Sequence, residues 1–545
     1  MTTSALYRWY LDVASRLRDA PAMTFIQAGG RSSATYTYGE LFDRASELAS
    51  AMSRLGLVGD APTGLLMQRQ EDQVLHYLAA LEIGVVPAIL TPPNRKLNRE
   101  YYEQTMSAVL QRCGFEALVL DIDGIDAPSR ALSPFTFDEI SRGKQGGPAA
   151  AGRGAPLDAS FMQFSSGTTG MKRGVLVTDD AVIAQLRTYA HALELTDEDC
   201  ILSWLPLYHD MGFIACLNMP LAYGVHTVMI DPIDWVTNPL IYLRAVGDFG
   251  ATLSWHPNFA FAFMAQRVRD RDLHELDLSS LRGLINCSEP VTYESQQAFL
   301  DRYASHGLRT DVFKGCYAMA ETTFALTHGS STDEGYLDLR GPNSGVMSPI
   351  GSGFVSVGRP LPGVELRVVD PQSGRGLPDG TVGELWVRSP FNFSGYFNDE
   401  EATDYAFVDG WYRTGDLGYR RKSNYYVAGR LKDVLIVGGV NVFPQDIEDM
   451  VSEIEGVSSG RVSVFSTFDP RVQTERIVVV AEIAERAAEV RRQVAADIRQ
   501  RVLAGFQIAN FELALVEPGW LVKSTSGKMA RSANRQKWLD ERRAS

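Results

Sequence analysis

The segment Phe164–Gly174 (FSSGTTGMKRG) lies between two apolar runs and is rich in glycine and hydroxyl side chains. Such a loop can direct backbone N–H groups at an anion, because glycine allows a close approach and hydroxyl groups add donors. Lys172 and Arg173 add positive charge at its end. The pattern predicts a phosphate-binding loop, although a Ser/Gly surface turn would have the same composition. It is not a Walker loop, because GxxxxGK[ST] is absent.

The elements that must position this loop are predicted by hydrophobic periodicity. Short runs of branched residues indicate buried strands, and longer amphipathic stretches such as residues 37–56, which open on a Thr and end on a Gly, indicate helices. Their alternation predicts an α/β fold with parallel sheets covered by helices. The apolar runs are TGLLMQ, GVVPAIL, ALVLD, HTVMID and GLINC.

The pattern changes after about residue 356, where VELRVVD, GELWVRS and YYVAGR predict short antiparallel strands. From residue 429 onward, four further apolar runs alternate with helical stretches, which predicts a small α+β domain. We therefore predict a large domain over residues 1–428, made of parallel-sheet subdomains and a small β-rich subdomain, and a small mobile domain over 429–545. A breaker-rich stretch, residues 141–156, is predicted to be a flexible connection.

Composition excludes several classes of function. The chain has 545 residues, 45% of them hydrophobic, and a net charge of −14. The acidic balance argues against nucleic acid as the main partner. The start lacks the apolar core of a secretory signal, and no apolar run is long enough for a membrane span, so a cytoplasmic location is expected. The scattered cysteines, predicted to be buried and free, are Cys113, Cys200, Cys216, Cys287 and Cys316.

Beyond the phosphate loop, a series of segments resembles, in order, the motifs of the adenylate-forming superfamily of acyl-CoA synthetases, fatty-acyl-AMP ligases, peptide-synthetase adenylation domains and luciferases. The similarity covers nearly the whole chain and is greatest to the fatty-acyl-AMP ligase branch. The segments are SWLPLYHDMG (203–212), WHPNFAFAF (255–263), NCSEPV (286–291), CYAMAETT (316–323), GWYRTGDLG (410–418), GRLKDVLIVGGVNVFPQDIE (429–448) and KSTSGK (523–528).

The resemblance implies a two-step ligase that uses ATP, Mg²⁺ and CoA. A carboxylate attacks the α-phosphate of ATP, giving acyl-AMP and pyrophosphate, and a thiol then displaces AMP. The catalytic residues would be Lys528, which neutralises the reacting anions, Glu321, which binds the metal, and His209. The nucleotide-binding residues would be Ser165, Ser166, Gly167, Thr168, Thr169, Gly170, Arg173, Ser288, Glu289, Pro290, Tyr317, Ala318, Asp416 and Arg430.

The same resemblance implies an acyl pocket and a hinge. The pocket would be lined by Trp204, His209, Asp210, Met211, Trp255, Asn258 and Phe259. His209 has the alternative of a satisfied core histidine, and the aromatic residues Trp255, Phe259, Phe261 and Phe263 could equally be ordinary core packing. Lys432 would be the hinge about which the C-terminal domain rotates between the two steps, and Gly438 and Gly439 would lie along the path of the thiol.

Some positions depart from the superfamily pattern. Lys172, Arg173 and Gly174 replace the usual Pro-Lys-Gly, and arginine is not equivalent to lysine at a phosphate site. Ala318 replaces a glycine beside the nucleotide, and its added methyl group could crowd the ligand. Ala320 replaces the threonine of many CoA ligases, as is usual in the fatty-acyl-AMP branch. These changes raise the hypothesis that adenylation is weak while a ready-made acyl-AMP is still used.

The length of the segment after the metal-binding glutamate bears on which thiol accepts the acyl group. Fatty-acyl-AMP ligases carry an insertion after the metal-binding glutamate that hinders the use of CoA, and residues 322–357 are short for it. We therefore favour an acyl-CoA synthetase acting on a hydrophobic carboxylic acid, with natural-product or lipid metabolism as a setting by analogy. The main alternative is an acyl-AMP ligase that loads the phosphopantetheine of a carrier protein. A nucleotide-binding protein without catalysis and a luciferase-like oxygenase are further alternatives.

Overall fold

The computed structural model describes residues 4–27, 29–30, 32–54, 61–92, 99–115, 117–120, 133–136, 157–165, 172–288, 291–343, 353–437, 440–469, 474–485, 487–506, 508, 511–523 and 528–544. The predicted connection at residues 141–156 lies outside these ranges. No helix among the described residues is long and apolar enough to cross a membrane. All five cysteines are buried and free, as predicted.

A large, mostly parallel sheet forms the centre of the molecule. Its inner strands are almost entirely buried and mainly apolar, as expected for a sheet covered on both faces. The antiparallel strands Ser32–Thr37, Thr327–Ser330 and Arg359–Pro360 lie toward its two edges. In spatial order the strands are Arg359–Pro360, Thr327–Ser330, Phe313–Gly315, Gly283–Asn286, Leu253–His256, Cys200–Ser203, His226–Ile230, Pro21–Gln27 and Ser32–Thr37.

A second, four-stranded parallel sheet lies next to the strands that flank the phosphate loop. It contains, in spatial order, Val86–Ile89, Pro62–Leu66, Ala117–Leu120 and Ser133–Thr136. Beside it, the antiparallel pair Phe161–Phe164 and Gly174–Val177 encloses the predicted phosphate loop. The strands predicted from TGLLMQ, GVVPAIL, ALVLD, HTVMID and GLINC are all confirmed.

The predicted antiparallel strands after residue 356 are also confirmed. Glu365–Val369, Gly383–Arg388, Trp411–Arg421 and Asn424–Arg430 pair in succession, with Phe407–Val408 at the edge. Leu337–Asp338 pairs with Phe354–Val355.

The C-terminal residues have a hydrophobic core of their own, built around Ile447, Val464, Val479 and Ile498. The hairpin Leu435–Val437 and Val440–Val442 precedes a sheet of Val462–Asp469, Thr474–Glu482 and Glu512–Val516. The helices Pro444–Ser452, Ala488–Phe506 and Arg531–Ala544 accompany these strands. The boundary at residues 428 and 429, and the mobility of this unit, stay predictions.

The helix predicted after Thr37 spans Tyr38–Arg54. Thr37 and Glu40 exchange hydrogen bonds between side chain and backbone at 2.9 and 3.2 Å, which is a capping box. The other helices are Ala5–Arg16, Gln70–Glu82, Arg99–Arg112, Asp179–Ala192, Met219–Tyr223, Pro232–Thr237, Leu240–Phe249, Phe259–Arg267, Tyr293–Tyr303 and Glu400–Ala406, with a π-helix at Met211–Asn218 and 3₁₀ turns at Asp270–Asp272, Ala304–His306, Ala320–Thr322 and Leu431–Asp433.

Candidate active site

Three parallel strands of the large sheet end at the same edge. His256 pairs with Asn286, and Asn286 pairs with Gly315, so the chain leaves these strands at one level. Ser288 and Tyr317 follow directly at that edge. The crevice at the carboxyl ends of parallel strands is where open α/β sheets bind ligands.

Asp416 is the centre of a hydrogen-bonded group at this edge. Its carboxylate accepts a hydrogen bond from the Tyr317 hydroxyl at 2.7 Å and pairs with Arg430 Nε at 3.0 Å. The charge of Asp416 raises the pKa of Arg430, and burial raises the pKa of Tyr317. The group therefore contains a permanent cation and a neutral phenol. Three of the predicted nucleotide-binding residues are thus brought together from distant segments.

Glu321 is a second buried carboxylate, 9% exposed, in the turn Ala320–Thr322. The Tyr396 hydroxyl donates to its Oε1 at 2.9 Å. Burial raises the pKa of Glu321 above its ordinary value, against the opposing effects of this hydrogen bond and of the Arg430 charge. A partly desolvated carboxylate of this kind binds a divalent cation well, because the cation replaces the lost hydration.

The backbone of this turn is held by Gln163. Its amide nitrogen donates to the carbonyl oxygens of Ala320 and Thr323 at 2.8 and 2.9 Å. Thr323 has φ of +61°, a left-handed conformation that strains a β-branched residue. Because Gln163 lies in the strand that leads into the phosphate loop, it connects this loop to the turn that carries Glu321.

Lys528 reaches the same edge from the C-terminal unit. Its Nζ donates to the carbonyl oxygen of Ser288 at 2.5 Å. Ser288 has φ of +72°, again in the left-handed region. Burial raises the pKa of Asp210, while the nearby charge of Lys528 acts in the opposite direction. The structure thus places a lysine ammonium between the strand-end loop at Ser288 and the acidic residue of the predicted acyl pocket.

The phosphate loop is described only at its ends. Ser166, Gly167, Thr168, Thr169 and Gly170 lie outside the described residues, as do Glu289 and Pro290 of the strand-end loop.

At the ends of this loop, the Ser165 N–H donates to the Arg173 carbonyl at 3.0 Å, and the Arg173 N–H donates to Ser165 Oγ at 3.2 Å. Lys172 Nζ lies 3.4 Å from the Thr91 hydroxyl, and burial lowers the pKa of Lys172 to about 8.

His209 and Asp210 directly precede the π-helix Met211–Asn218. The Asp210 carboxylate accepts from the Met211 N–H at 2.9 Å. His209 lines a small, partly open pocket together with Gln163, Tyr208 and other side chains. π-Helical segments occur frequently at functional sites, where they reposition adjoining side chains.

The predicted acyl-pocket residues fall into two groups. Trp204 stacks on Trp235 with ring centroids 3.6 Å apart, and Phe259, 39% exposed, contacts both rings edge-on. Trp255 is fully buried and donates to the Tyr189 hydroxyl at 3.0 Å. This is the core packing that the sequence left open as an alternative, and it separates Trp255 from the Trp204–Phe259 group.

Asn258 also has a structural environment. Its side-chain oxygen accepts hydrogen bonds from Asn286, Thr292 and Ser295 at 3.0, 3.0 and 2.7 Å. It thereby connects the end of one strand to the start of the helix Tyr293–Tyr303. Its place in an acyl pocket stays a prediction.

The hinge region is described in part. Lys432 is exposed in the turn Leu431–Asp433, while Gly438 and Gly439 lie outside the described residues. The next residue, Asp433, accepts a hydrogen bond from Arg531 at 2.8 Å. Ala318, the departure beside the nucleotide, is half-buried and forms a β-bridge with Ala325.

Sequence reasoning missed Gln163, Tyr396 and Trp235. Tyr396 and Gln163 contact the Glu321 turn, and Trp235 stacks on Trp204. None lies inside a segment singled out for chemistry. A signal did exist for Gln163, because it is a polar residue in the otherwise apolar run SFMQF, and a buried polar side chain requires a partner.

Comparison with known proteins gives consistent matches over this architecture. A family model described as AMP-binding enzyme matches residues 11–397. The chain is 28% identical to the long-chain-fatty-acid–AMP ligase FadD26 of Mycobacterium marinum, over 92% of this chain and 90% of the relative. It is 29% identical to the putative fatty-acid–CoA ligase fadD25 of Mycobacterium tuberculosis, over 91% of each.

A solved structure from a study of fatty acyl-adenylate ligases of E. coli and L. pneumophila superimposes with a TM-score of 0.86 at 25% identity, covering 99% of this chain and 98% of that one.

Proposed function

The chain belongs to the AMP-binding enzyme family of acid–thiol ligases, and from this premise we propose that it activates a hydrophobic carboxylic acid as acyl-AMP and transfers the acyl group to the thiol of CoA. The observation that carries the proposal is the hydrogen bond from Lys528 to the Ser288 carbonyl. It brings a cation of the C-terminal unit to the sheet edge that also holds the Asp416–Arg430 pair. A nucleotide and a carboxylate need this combination of groups to react.

In this proposal, AMP lies across the carboxyl ends of the strands. Asp416 accepts hydrogen bonds from the ribose hydroxyl groups, and Arg430 orients Asp416. Tyr317, Ala318 and the loop 288–290 flank the adenine.

The hydroxyl and backbone N–H groups of residues 165–170 hold the phosphates, and the Lys172 ammonium adds charge there.

Glu321 is proposed to bind the magnesium ion that accompanies ATP. The donor set fits this group, because Mg²⁺ is commonly held by one or two carboxylates together with phosphate oxygens and water. Among the described residues no cluster of three or more His, Cys, Asp or Glu side chains surrounds a common point. Glu321 supplies one buried carboxylate, and Tyr396 fixes its orientation. When bound, the ion neutralises phosphate charge.

In the first step a carboxylate oxygen of the acid forms a bond to the α-phosphorus while the bond to pyrophosphate breaks. Two anions approach, so Lys528 contributes by neutralising charge that develops between them. Removal of such a donor costs about 10²–10³ in rate. The Asp210 carboxyl group lies close enough to Lys528 to interact with it electrostatically.

The acid is proposed to enter beside the aromatic group of Trp204, Trp235 and Phe259. Phe259 is 39% exposed and lies edge-on to the buried Trp204–Trp235 stack, so its phenyl ring provides an apolar surface that solvent can reach. His209 and Met211 extend this wall toward the reacting carboxylate. A hydrophobic acyl chain or ring suits such a surface better than a charged one.

The second step is proposed to follow rotation about Lys432. This would withdraw Lys528 and bring residues 438 and 439 to the path of the thiol, whose sulfur bonds to the acyl carbon as AMP leaves. CoA is favoured by the short 322–357 segment. The carrier-protein thiol is the second candidate, because FadD26 is described as a fatty-acid–AMP ligase.

The test separates the two steps. Purified protein is given a panel of acids with ATP and Mg²⁺ and pyrophosphate release is measured, while synthetic acyl-AMP and CoA are supplied in parallel and thioester is measured. Both activities are expected. Pyrophosphate release without CoA thioester would favour the carrier-protein ligase. Thioester without pyrophosphate release would indicate an enzyme specialised for the second step. The absence of both activities would refute the proposal.

A further inference from the structure

Arg173 occupies the position of the phosphate-loop lysine, yet its side chain is engaged elsewhere. Its Nε donates to the Asp399 carboxylate at 3.0 Å. Its guanidinium carbon lies 5.2 Å from the centre of the Tyr396 ring. The guanidinium is thus fixed between an acidic residue and an aromatic face, which are the two environments that arginine fits better than lysine.

Asp399 is itself held firmly. It accepts a hydrogen bond from Arg112 and caps the helix Glu400–Ala406 by accepting from the Ala402 N–H at 3.2 Å. Its side chain is only 13% exposed. A carboxylate with this degree of burial and this number of donors keeps its position, so it also keeps the guanidinium of Arg173 in place.

Tyr396 transmits the contact to the proposed metal ligand. The Tyr396 hydroxyl donates to Glu321 Oε1 at 2.9 Å and lies 3.3 Å from the Tyr412 hydroxyl. A cation over a phenol ring withdraws electron density from the hydroxyl, which strengthens that hydroxyl as a hydrogen-bond donor. The series Asp399, Arg173, Tyr396 and Glu321 is therefore continuous through contacts between side chains.

We propose that Arg173 is a positioning residue for Glu321, acting through Tyr396, and that it does not contact phosphate. This inference rests on the proposed role of Glu321 in binding Mg²⁺. It accounts for the departure from Pro-Lys-Gly, because the planar guanidinium donates from Nε to Asp399 while its carbon lies over the Tyr396 ring. An ammonium is a compact point charge and fits this combination less well. Lys172 then remains to supply charge to the phosphate loop.

The experiment measures metal binding directly. Mn²⁺ replaces Mg²⁺, and its affinity for the protein in the presence of ATP is followed by electron paramagnetic resonance for Arg173→Lys, Asp399→Asn and Tyr396→Phe. Asparagine at position 399 can still cap the helix Glu400–Ala406, so this function of Asp399 is kept while its charge is removed. We expect each variant to weaken Mn²⁺ binding, Tyr396→Phe by about 10-fold or more, as for other residues that orient metal ligands.

A double variant tests whether the residues act in series. If Arg173 acts through Tyr396, adding Arg173→Lys to Tyr396→Phe weakens Mn²⁺ binding no further than Tyr396→Phe alone. Arg367→Met is the matched control, because the Arg367 guanidinium also lies on an aromatic ring, 4.0 Å from the Trp411 ring centre, and is not paired with any site residue that the structure describes. It is expected to bind Mn²⁺ as the unchanged protein does.

The outcomes distinguish this inference from the function on which it rests. If Glu321→Gln leaves Mn²⁺ binding unchanged, Glu321 is not a metal ligand. Both the proposed metal-binding role of Glu321 and the positioning role of Arg173 then fail. If Glu321→Gln weakens binding but Arg173→Lys and Asp399→Asn do not, only the positioning role is overturned. If Arg173 contacts phosphate directly, the opposite pattern is expected. Arg173→Lys would then bind ATP nearly as the unchanged protein does, and Asp399→Asn would bind ATP more tightly because Arg173 is no longer held by Asp399.

Discussion

Replacing Arg531 is expected to damage the C-terminal unit and the adenylation step together. Arg531 donates to both carboxylate oxygens of Glu448, at 2.8 and 2.6 Å, and to Asp433 at 2.8 Å. The side chains of Arg531, Glu448 and Asp433 are 23%, 10% and 19% exposed. Arg531→Met would therefore leave two largely desolvated carboxylates without their cation.

The burial of these ion pairs sets the expected loss of stability in Arg531→Met. Removing one partner of a buried ion pair costs about 3–5 kcal/mol, and the residual exposure of Arg531 favours the lower end. For a unit of roughly 115 residues the entropy of unfolding is about 0.24 kcal/mol/K, so about 3 kcal/mol lowers Tm by about 12 °C. Because Lys528 lies three residues before Arg531, and Asp433 follows the proposed hinge, pyrophosphate release is also expected to fall.

Scanning calorimetry and limited proteolysis would measure this effect. Arg535→Ala is the matched control, because Arg535 lies on the same helix and donates to the Ser466 carbonyl at 2.8 Å, but this hydrogen bond is exposed. It should lower Tm by no more than about 2 °C. An Arg531→Met protein that unfolds and is cleaved like the unchanged protein would refute the reasoning that this ion group holds the unit together.

Three further predictions concern the site. Lys528→Ala is expected to lower pyrophosphate release about 10²–10³-fold, while thioester formation from synthetic acyl-AMP changes less than about 3-fold. Lys523→Ala is the control, and equal losses in both steps would contradict the role assigned to Lys528. Burial lowers the pKa of Lys172 to about 8, so the free enzyme loses this ammonium charge above that pH and the KM for ATP should rise. Lys172→Met should abolish the rise. A variant whose KM for ATP still rises above pH 8 as in the unchanged protein would refute the prediction. Gln163→Leu leaves the Thr323 carbonyl oxygen without the Gln163 donor, whereas the Ala320 carbonyl keeps the Thr323 N–H at 3.0 Å. This variant is expected to be less stable by about 1–3 kcal/mol and to need more Mg²⁺ for half-maximal activity. Chemical denaturation and a Mg²⁺ titration would measure these two effects, and no change in either would contradict the reasoning.

The strands were predictable from sequence because a strand buried on both faces is a nearly continuous apolar run. His226–Ile230 and Gly283–Asn286 were found for this reason. Their neighbours in the sheet were not predictable. Pro21–Gln27 pairs with His226–Ile230 across about two hundred residues of chain, and hydrophobic periodicity contains no information on which strand lies beside which.

Some residues of the candidate site were likewise predictable from sequence and others were not. Motif resemblance identified Asp416, Arg430 and Tyr317, and the structure brings these three into contact. It could not identify Tyr396, because the relation of this tyrosine to Glu321 depends on the path of the chain between them. Nor could it show that Trp204 stacks on Trp235 whereas Trp255 donates a hydrogen bond to Tyr189, since buried aromatic residues in these two environments have the same sequence pattern.

The positions that depart from the superfamily pattern can now be weighed physically. The hypothesis of weak adenylation assumed that Arg173 replaces a phosphate contact. The Arg173 side chain pairs with Asp399 instead, so in our proposal it has a different role, and Lys172 is the cationic residue next to it in the sequence. Another departure, Ala318, is held in a β-bridge to Ala325. An alanine that crowds the nucleotide would raise the KM for ATP, and Ala318→Gly would relieve it. We expect Ala318→Gly to change this KM less than about 3-fold, because the bridge fixes the backbone in a conformation open to both residues. A gain of 10-fold or more, measured by pyrophosphate release, would restore the crowding hypothesis.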